Sequence, residues 1–168
     1  VEVLIGTRRD DPIDQRLVSD IDGNNNVLAY NFFPNNGDMK IDTNDTAYAG
    51  GLNDKFFNIV AHEHGHGMGV YHVCPINQTK LMEPFLSTAF LGPQHDDIRA
   101  AQRHYGDIYE GGTGNNAYPT SVDLGTLSNT TELIQTVSID DNSDEDWYKF
   151  TVAADTQIDV SITPLGQS

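Results

Sequence analysis

An eleven-residue string rich in histidine constrains this chain more than any other feature. It runs from His62 to His72 and reads HEHGHGMGVYH. Two histidines four residues apart on a helix project from one face, at a separation that suits two ligands of a single metal ion. Gly69 is where the chain can leave the helix with a positive φ, so His72 can return as a third ligand. The string therefore predicts a helix that ends in a metal site.

The ligand types favour a catalytic zinc site. Three imidazoles, from His62, His66 and His72, leave the fourth position of a tetrahedral zinc ion open. Glu63 is rotated about 100° from His62 on the helix, so it flanks the ligand face and can act as a general base on a zinc-bound water. The alternatives are a histidine-rich helix with no metal and a closed, structural site. That site would need a fourth protein ligand, and Cys74 is the candidate.

The string, together with the LMEP sequence of residues 81–84, resembles the metzincin metallopeptidases. The stretch 3–106 narrows the resemblance to the matrixins, the matrix-metalloprotease group. The resemblance implies a secreted zinc endopeptidase that acts on protein or peptide substrates. The residues carried over are His62, His66 and His72 as ligands of one catalytic zinc ion, Glu63 as general base, and Met82 as the residue of a turn beneath the metal.

The resemblance also implies a calcium site built from two acidic loops. Its ligands would be the carboxylates of Asp22, Asp42 and Asp45 and the backbone oxygens of Gly23, Asn25 and Val27. A mixture of carboxylate and carbonyl oxygens suits calcium. Two ordinary Asp/Asn turns are the alternative. Tyr30 and Lys40 stand where the family has histidines of a second, structural zinc, so we expect a single zinc ion.

The predicted fold is α+β and metzincin-like, also called zincin-like: a small twisted sheet, a zinc-binding helix and a C-terminal helix. The zinc helix should begin at Asn53 or Asp54 and end near Gly69, and the last helix should run from about Asp96 to Gly106. Strands are expected at 1–7, 27–33 and 39–41. The family's opening strand, helix and strand have no counterpart here, so we expect residues 1–109 to be an N-terminally incomplete catalytic domain.

The substrate cleft is expected between the zinc and an edge strand that contains Leu28 and Ala29. An extended substrate would pair with that strand through backbone hydrogen bonds. Asn58 lies one turn before His62 on the same helix face, and Pro84 opens the loop 84–93. We expect both to shape the pocket beside the metal.

Beyond the catalytic domain, residues 110–121 have the Gly- and Asn-rich composition of a linker. Residues 122–168 are expected to form an accessory β domain. Apolar residues alternate in 133–139, 147–152 and 157–163, which predicts strands of a partial antiparallel β-sandwich. The run 140–150 resembles the acidic turn and aromatic strand of bacterial pre-peptidase C-terminal domains.

Composition excludes several partners. Acidic residues outnumber Lys plus Arg by 25 to 9, giving a net charge of −16. Phosphate binding needs the opposite sign, so nucleic acid is not expected as a partner. No apolar stretch approaches the length of a membrane span. A single cysteine excludes an internal disulfide. We expect a secreted monomer whose signal peptide is absent or already removed.

Two other functions stay open at this level. One is a non-catalytic calcium- or zinc-binding adhesion module, and the other is a metzincin of another subfamily with a narrower substrate. The intact Glu63 argues against the adhesion module, because a structural zinc site has no need of that carboxylate. A metzincin of another subfamily would lack calcium dependence and the edge-strand geometry.

Overall fold

The computed structural model describes residues 18–24, 26–34, 36–46, 53–110, 114–128, 131–135, 137–153 and 155–164, with 18–19 described for the backbone alone. The chain divides into two compact units, residues 1–101 and 102–168. The strand predicted at 1–7 and the predicted calcium ligand Asn25 lie outside the described residues. Within those residues, no helix combines the length and apolar character that a membrane crossing requires.

The first unit contains a three-stranded sheet with β3 at its centre. The strands are β1 (Val18–Ser19), β2 (Ala29–Asn31) and β3 (Met39–Asp42), in the order β1-β3-β2. β3 pairs in parallel with β1 and antiparallel with β2. β2 therefore lies at an edge of the described sheet, and it is shorter than the predicted 27–33.

The side chains of β3 alternate between the two faces of the sheet, and those on one face form a small core between the sheet and the first helix. Met39 and Ile41 are two residues apart, so their side chains share one face of the strand, and both are buried. Ala29 of β2 packs against them, together with Phe56 and Val60. This packing fixes the helix that carries the histidines against the edge strand.

Two helices were predicted, and both are confirmed. Helix α1 spans Asp54–Gly67, and the side chain of Asn53 caps it by accepting a hydrogen bond of 3.0 Å from the Phe56 N–H. Helix α2 spans His95–Tyr105. It ends at Gly106, whose φ of +74° is the conformation in which a glycine commonly stops a helix.

The second unit corrects the prediction of an antiparallel sandwich. Its described strands, β4 (Val122–Leu127) and β5 (Tyr148–Val152), pair in parallel. The twenty residues between them provide the long connection that a parallel pair needs, whereas an antiparallel pair can be joined by a short hairpin. A 3₁₀ helix at Tyr118–Thr120 precedes β4.

Two further segments predicted as strands have no strand structure where they are described, namely 133–139 and 157–163. Leu133, Val160 and Ile162 are all exposed. Alternating apolar residues stabilise a strand only where a neighbouring strand completes its hydrogen bonds and covers one face. The division into 1–109, 110–121 and 122–168, and the likeness to pre-peptidase domains, stay predictions.

Candidate metal centre

Three imidazole nitrogens converge at the C-terminal end of α1. The Nε2 atom of His72 lies 3.2 Å from Nε2 of His62 and 3.1 Å from Nε2 of His66. Two nitrogen ligands of a tetrahedral zinc ion stand roughly 3.3 Å apart, because each Zn–N bond is about 2.0–2.1 Å long. The three predicted ligands are therefore brought together at a spacing that fits zinc.

Hydrogen bonds at the other ring nitrogen prepare two of these histidines for a metal. Nδ1 of His62 lies 2.7 Å from the carbonyl oxygen of Leu81, and Nδ1 of His66 lies 2.7 Å from that of Val70. A carbonyl oxygen can only accept, so Nδ1 carries the hydrogen and Nε2 presents its lone pair. Burial also lowers the pKa of His62 to about 4, which keeps its ring neutral at neutral pH.

A tight turn after α1 returns the chain to the metal. The Val70 N–H donates to the Gly65 carbonyl and the Gly69 N–H donates to the His66 carbonyl, each at 2.9 Å. This is a Schellman motif, in which the residue after the helix takes the left-handed conformation. Gly69 has a φ of +93° and fills that position. The turn brings His72 back beside His66.

Glu63 lies on the same helix with one oxygen available for chemistry. Its side chain is buried, and its Oε2 atom has no hydrogen-bond partner among the described residues. Burial raises the pKa of Glu63 to about 7, although the backbone N–H of Asn31 opposes that rise. A carboxylate that ionises near neutral pH beside a metal site is well suited to act as a general base.

Met82 packs directly beneath the zinc-binding helix. Its side chain is 2% exposed. A β carbon at Gly65 would overlap Met82 Sδ and would lie 2.9 Å from its Cε. A larger residue at this position would force the methionine side chain to move, because Met82 occupies the space beside Gly65. That Met82 lies under the metal stays a prediction.

The carboxylate of Asp97 supports the turn that contains Met82. It accepts hydrogen bonds from the backbone N–H groups of Leu81 (2.8 Å), Met82 (3.0 Å) and Gln94 (2.7 Å). The bond from Gln94 caps α2, as an acidic residue at the third helical position commonly does. The sequence does not predict this contact between Asp97 and the methionine turn.

A second buried carboxylate, that of Glu83, was also missed from the sequence. It accepts hydrogen bonds from four successive backbone N–H groups, those of Asn77, Gln78, Thr79 and Lys80. The available signal was an acidic residue between Met82 and Pro84, directly after the methionine of the predicted turn. Side chains on neighbouring loops offer no local periodicity, so their partners emerge only from the tertiary structure.

The side chain of Asn58 holds the loop 84–93 in place and does not face the cleft. It is completely buried. Its Nδ2 donates to the carbonyl oxygens of Ser87 (2.9 Å) and Phe90 (2.8 Å), and its Oδ1 accepts from the Gly92 N–H at 2.7 Å. All of these contacts lie within the loop that begins at Pro84. Asn58 and this loop are therefore in contact, and their predicted role in shaping the pocket beside the metal stays a prediction.

The edge strand exposes part of its backbone. Phe32 donates to Asp38, and Asp42 donates to Leu28, so these residues form hydrogen-bonded pairs of the β2–β3 ladder. In an antiparallel ladder the intervening residues point their N–H and C=O groups away from the partner strand. Ala29 is such a residue, whereas the Leu28 carbonyl is used within the sheet. Of the two predicted cleft residues on this strand, Ala29 has the geometry to pair with a substrate.

An aromatic pair beside the metal site was not predicted. Phe33 and Tyr71 stack with their ring centroids 4.6 Å apart, and Phe33 also contacts the edge of the His66 ring. Tyr71 is largely exposed and Phe33 is partly exposed. They lie on different loops, so their proximity depends on how the turn after α1 packs against the loop after β2.

The predicted calcium carboxylates also converge. Asp22, Asp42 and Asp45 each place one carboxylate oxygen within 4.8 Å of the other two. Asp42 is fully buried and its pKa is lowered by hydrogen bonds, first from the Asp22 N–H and then from the Asn44 N–H. The pKa of Asp45 is raised by burial and by the charges of Asp42 and Asp22. A cation would relieve that repulsion; the contributions of Gly23, Asn25 and Val27 stay predictions.

Comparison with known proteins agrees with this centre. The family model described as Matrixin matches residues 10–106, which is more than half of the chain. A hatching enzyme from Paracentrotus lividus is 35% identical over 97 residues, covering 55% of this chain and 16% of the relative. Stromelysin-3 from Rattus norvegicus is 34% identical over 89 residues, covering 51% of this chain and 18% of the relative.

The chain thus spans less than a fifth of the length of these curated relatives. The matched stretch includes both helices, all three histidines, Glu63 and Met82. The chain belongs to the matrixin family of zinc metalloendopeptidases.

Proposed function

We propose that residues 10–106 hydrolyse peptide bonds in extended protein substrates, with His62, His66 and His72 as the ligands of one zinc ion. The observation that carries the proposal is the convergence of three Nε2 atoms near a buried glutamate that has one oxygen without a partner. Three neutral ligands leave the charge of a bound zinc ion uncompensated. The ion would supply Lewis acidity toward the scissile carbonyl and its attacking water.

Glu63 is the proposed proton carrier. Its free Oε2 takes the proton of the attacking water, and the same oxygen then delivers that proton to the leaving amine. No covalent bond to the protein is required. The Asn31 N–H holds the carboxylate from the side of the edge strand, so the base and the substrate-binding strand are linked by one contact.

Substrate binding is proposed to use the outward-facing backbone of β2. The N–H and C=O groups of Ala29 would pair with an extended peptide, as a strand added to a sheet edge does. The loop 84–93, held by Asn58, would close one side of the pocket beside the metal. Phe33 and Tyr71 would offer an apolar surface to a substrate side chain near His66.

Calcium binding and secretion are part of the same proposal. Asp22, Asp42 and Asp45 supply the hard oxygen ligands that calcium prefers, and a bound cation would offset the repulsion between the three carboxylates. The strongly negative net charge favours a soluble and monomeric protein. We propose that the protein acts outside the cell as a monomer.

Elemental analysis combined with cleavage of an unstructured protein tests this function. We expect one zinc per chain, and cleavage that stops when a zinc chelator is added and resumes with zinc. Glu63→Ala should keep its zinc and lose hydrolysis, whereas Glu132→Ala, at an exposed glutamate of the second unit, should keep both. Zinc binding without chelator-sensitive cleavage would instead favour a binding role for the site.

A further inference from the structure

Six successive backbone N–H groups, from Asn77 to Met82, all donate to carboxylate oxygens. Glu83 Oε2 accepts from Asn77 and Gln78, each at 2.6 Å, and Glu83 Oε1 accepts from Thr79 (2.8 Å) and Lys80 (3.1 Å). Asp97 accepts from the last two, Leu81 and Met82. Two acidic side chains therefore determine the path of this whole stretch of backbone.

We propose that Glu83 is a positioning residue for the zinc centre, acting through the segment that connects His72 with Met82. This inference rests on the proposed function. The Val73 N–H donates to the Met82 carbonyl at 2.9 Å, so the two ends of segment 73–82 are tied together. Val73 follows His72 directly, and Glu83 fills the interior of the loop that this hydrogen bond closes. Holding the loop thus holds the third zinc ligand.

The contact requires a carboxylate. Two carboxylate oxygens, with about four lone-pair sites, can accept all four N–H groups. The amide of a glutamine would offer one acceptor and would turn an NH₂ group toward backbone donors. Burial raises the pKa of Glu83, but the N–H groups of Gln78, Thr79, Asn77 and Lys80 outweigh it and lower the pKa to about 2. The side chain is therefore ionised at neutral pH.

Two further observations support a loop that is held from within. Gln78 has a φ of +60°, a conformation that is uncommon for a residue with a β carbon and persists where surrounding contacts hold it. Lys80 places its ammonium group 3.7 Å from Glu83 Oε1, and its Nζ also donates to Thr79 Oγ1 and Asn77 Oδ1. The loop therefore wraps a buried anion with both backbone and side-chain donors.

Amide hydrogen exchange and zinc affinity, measured together, test this role. The variants are Glu83→Gln and, as the matched control, Glu132→Gln at an exposed position of the second unit. Exchange is followed at the amides of residues 77–80, and zinc affinity is obtained by competition with a chelator at neutral pH. In Glu83→Gln we expect faster exchange at all four amides and a zinc affinity at least about tenfold weaker, the lower end of the effect seen for residues that orient metal ligands. The control should change neither.

Faster exchange with unchanged zinc affinity would overturn the proposal, as would unchanged exchange. If Glu83→Gln does not fold, Glu83→Asp takes its place, because it keeps the charge and shortens the reach. We expect Glu83→Asp to exchange faster at these amides and to bind zinc several-fold more weakly, which is roughly half of the tenfold effect when expressed as free energy. Wild-type behaviour in either measurement would contradict the role. If the wild-type chain binds no zinc, the proposed function fails, and exchange in the metal-free chain still reports whether Glu83 holds the loop.

Discussion

A single peptide group connects the carboxylate of Asp97 to the imidazole of His62. The Met82 N–H donates to Asp97 Oδ1 at 3.0 Å, and the Leu81 carbonyl oxygen, which belongs to the same peptide group, lies 2.7 Å from His62 Nδ1. Metal-binding histidines often donate directly to a carboxylate, which fixes the ring and raises its basicity. In this chain the polarised peptide group between Leu81 and Met82 lies between the carboxylate of Asp97 and the imidazole of His62.

Replacing Asp97 with asparagine should therefore weaken zinc binding. The amide loses an acceptor for the N–H groups of Leu81 and Met82, so the Leu81 carbonyl no longer holds the His62 ring as firmly. We expect a loss of roughly 10–100-fold in zinc affinity, measured by competition with a chelator. Asp96→Asn removes the same charge from the same turn of α2 and should bind zinc like the wild type. Equal affinities for the two variants would contradict the connection.

The pH dependence of hydrolysis should report the ionisation of Glu63. Burial raises the pKa of this carboxyl to about 7 in the metal-free chain, and a cation on the neighbouring histidines would favour the ionised form and lower that value. Only the carboxylate can accept a proton from water, so kcat/KM should fall as the pH is lowered through the pKa of Glu63. We expect this acid limb between about pH 4.5 and 7. The same limb in the residual activity of Glu63→Gln would assign it to another group.

Removing the side chain of Asn58 should loosen the loop 84–93. Asn58→Ala leaves the Ser87 and Phe90 carbonyls and the Gly92 N–H without their partner, and each such buried group costs about 1–3 kcal/mol. We expect a lower free energy of unfolding in urea, and weaker discrimination in a peptide series that varies the residue beside the scissile bond. Asn142→Ala, at an exposed asparagine of the second unit, is the control. If Asn58→Ala kept the selectivity of the wild type, the loop would have no part in substrate recognition.

The sequence predicted the parts of the site that depend on local spacing. The helix bounds follow from an asparagine cap at Asn53 and a glycine stop at Gly69, which act within one turn of the chain. The three histidines converge because four-residue spacing and one tight turn determine their positions. The position of Met82 followed from the family resemblance, because its packing against Gly65 is a contact between distant residues.

Contacts between elements were predicted less well. Asp97 and Glu83 find their partners in backbone N–H groups, which every residue has, so no pattern of side chains indicates the pairing. The parallel arrangement of β4 and β5 was missed because alternation of apolar residues indicates a strand but not the direction of its neighbour. β4 itself, at Val122–Leu127, was not predicted as a strand, and Gly125 interrupts its pattern.

The contact between Gly65 and Met82 can be tested by a double-mutant cycle. Alanine is favoured over glycine by about 1 kcal/mol in an open helix. Here the new β carbon would overlap Met82 Sδ, so we expect Gly65→Ala to destabilise the fold by about 1–3 kcal/mol. Combined with Met82→Ala, the same change should cost less, because the space is then empty. Additive free energies of unfolding in urea would show that the two residues do not interact.

Calcium should stabilise the first unit through the carboxylates of Asp22, Asp42 and Asp45. A ligand that binds only the folded chain adds about 2.7 kcal/mol at a hundredfold excess over its Kd, so thermal unfolding should move to a higher Tm when calcium is added. Asp45→Asn should lose most of this shift. Asp159→Asn makes the same charge change at an exposed site of the second unit and should keep it. A wild-type Tm that does not respond to calcium would contradict the site.

Hydrogen bonds from backbone N–H groups to Glu83 determine the shape of the loop, and most of the loop's side chains face solvent. Gln78 is exposed and contributes its N–H group to the contact. A fluorescent label attached there would leave the hydrogen bonds to Glu83 in place and would stand a few residues from a zinc ligand. Position 78 is therefore a place where a label introduced by substitution could report metal loading optically.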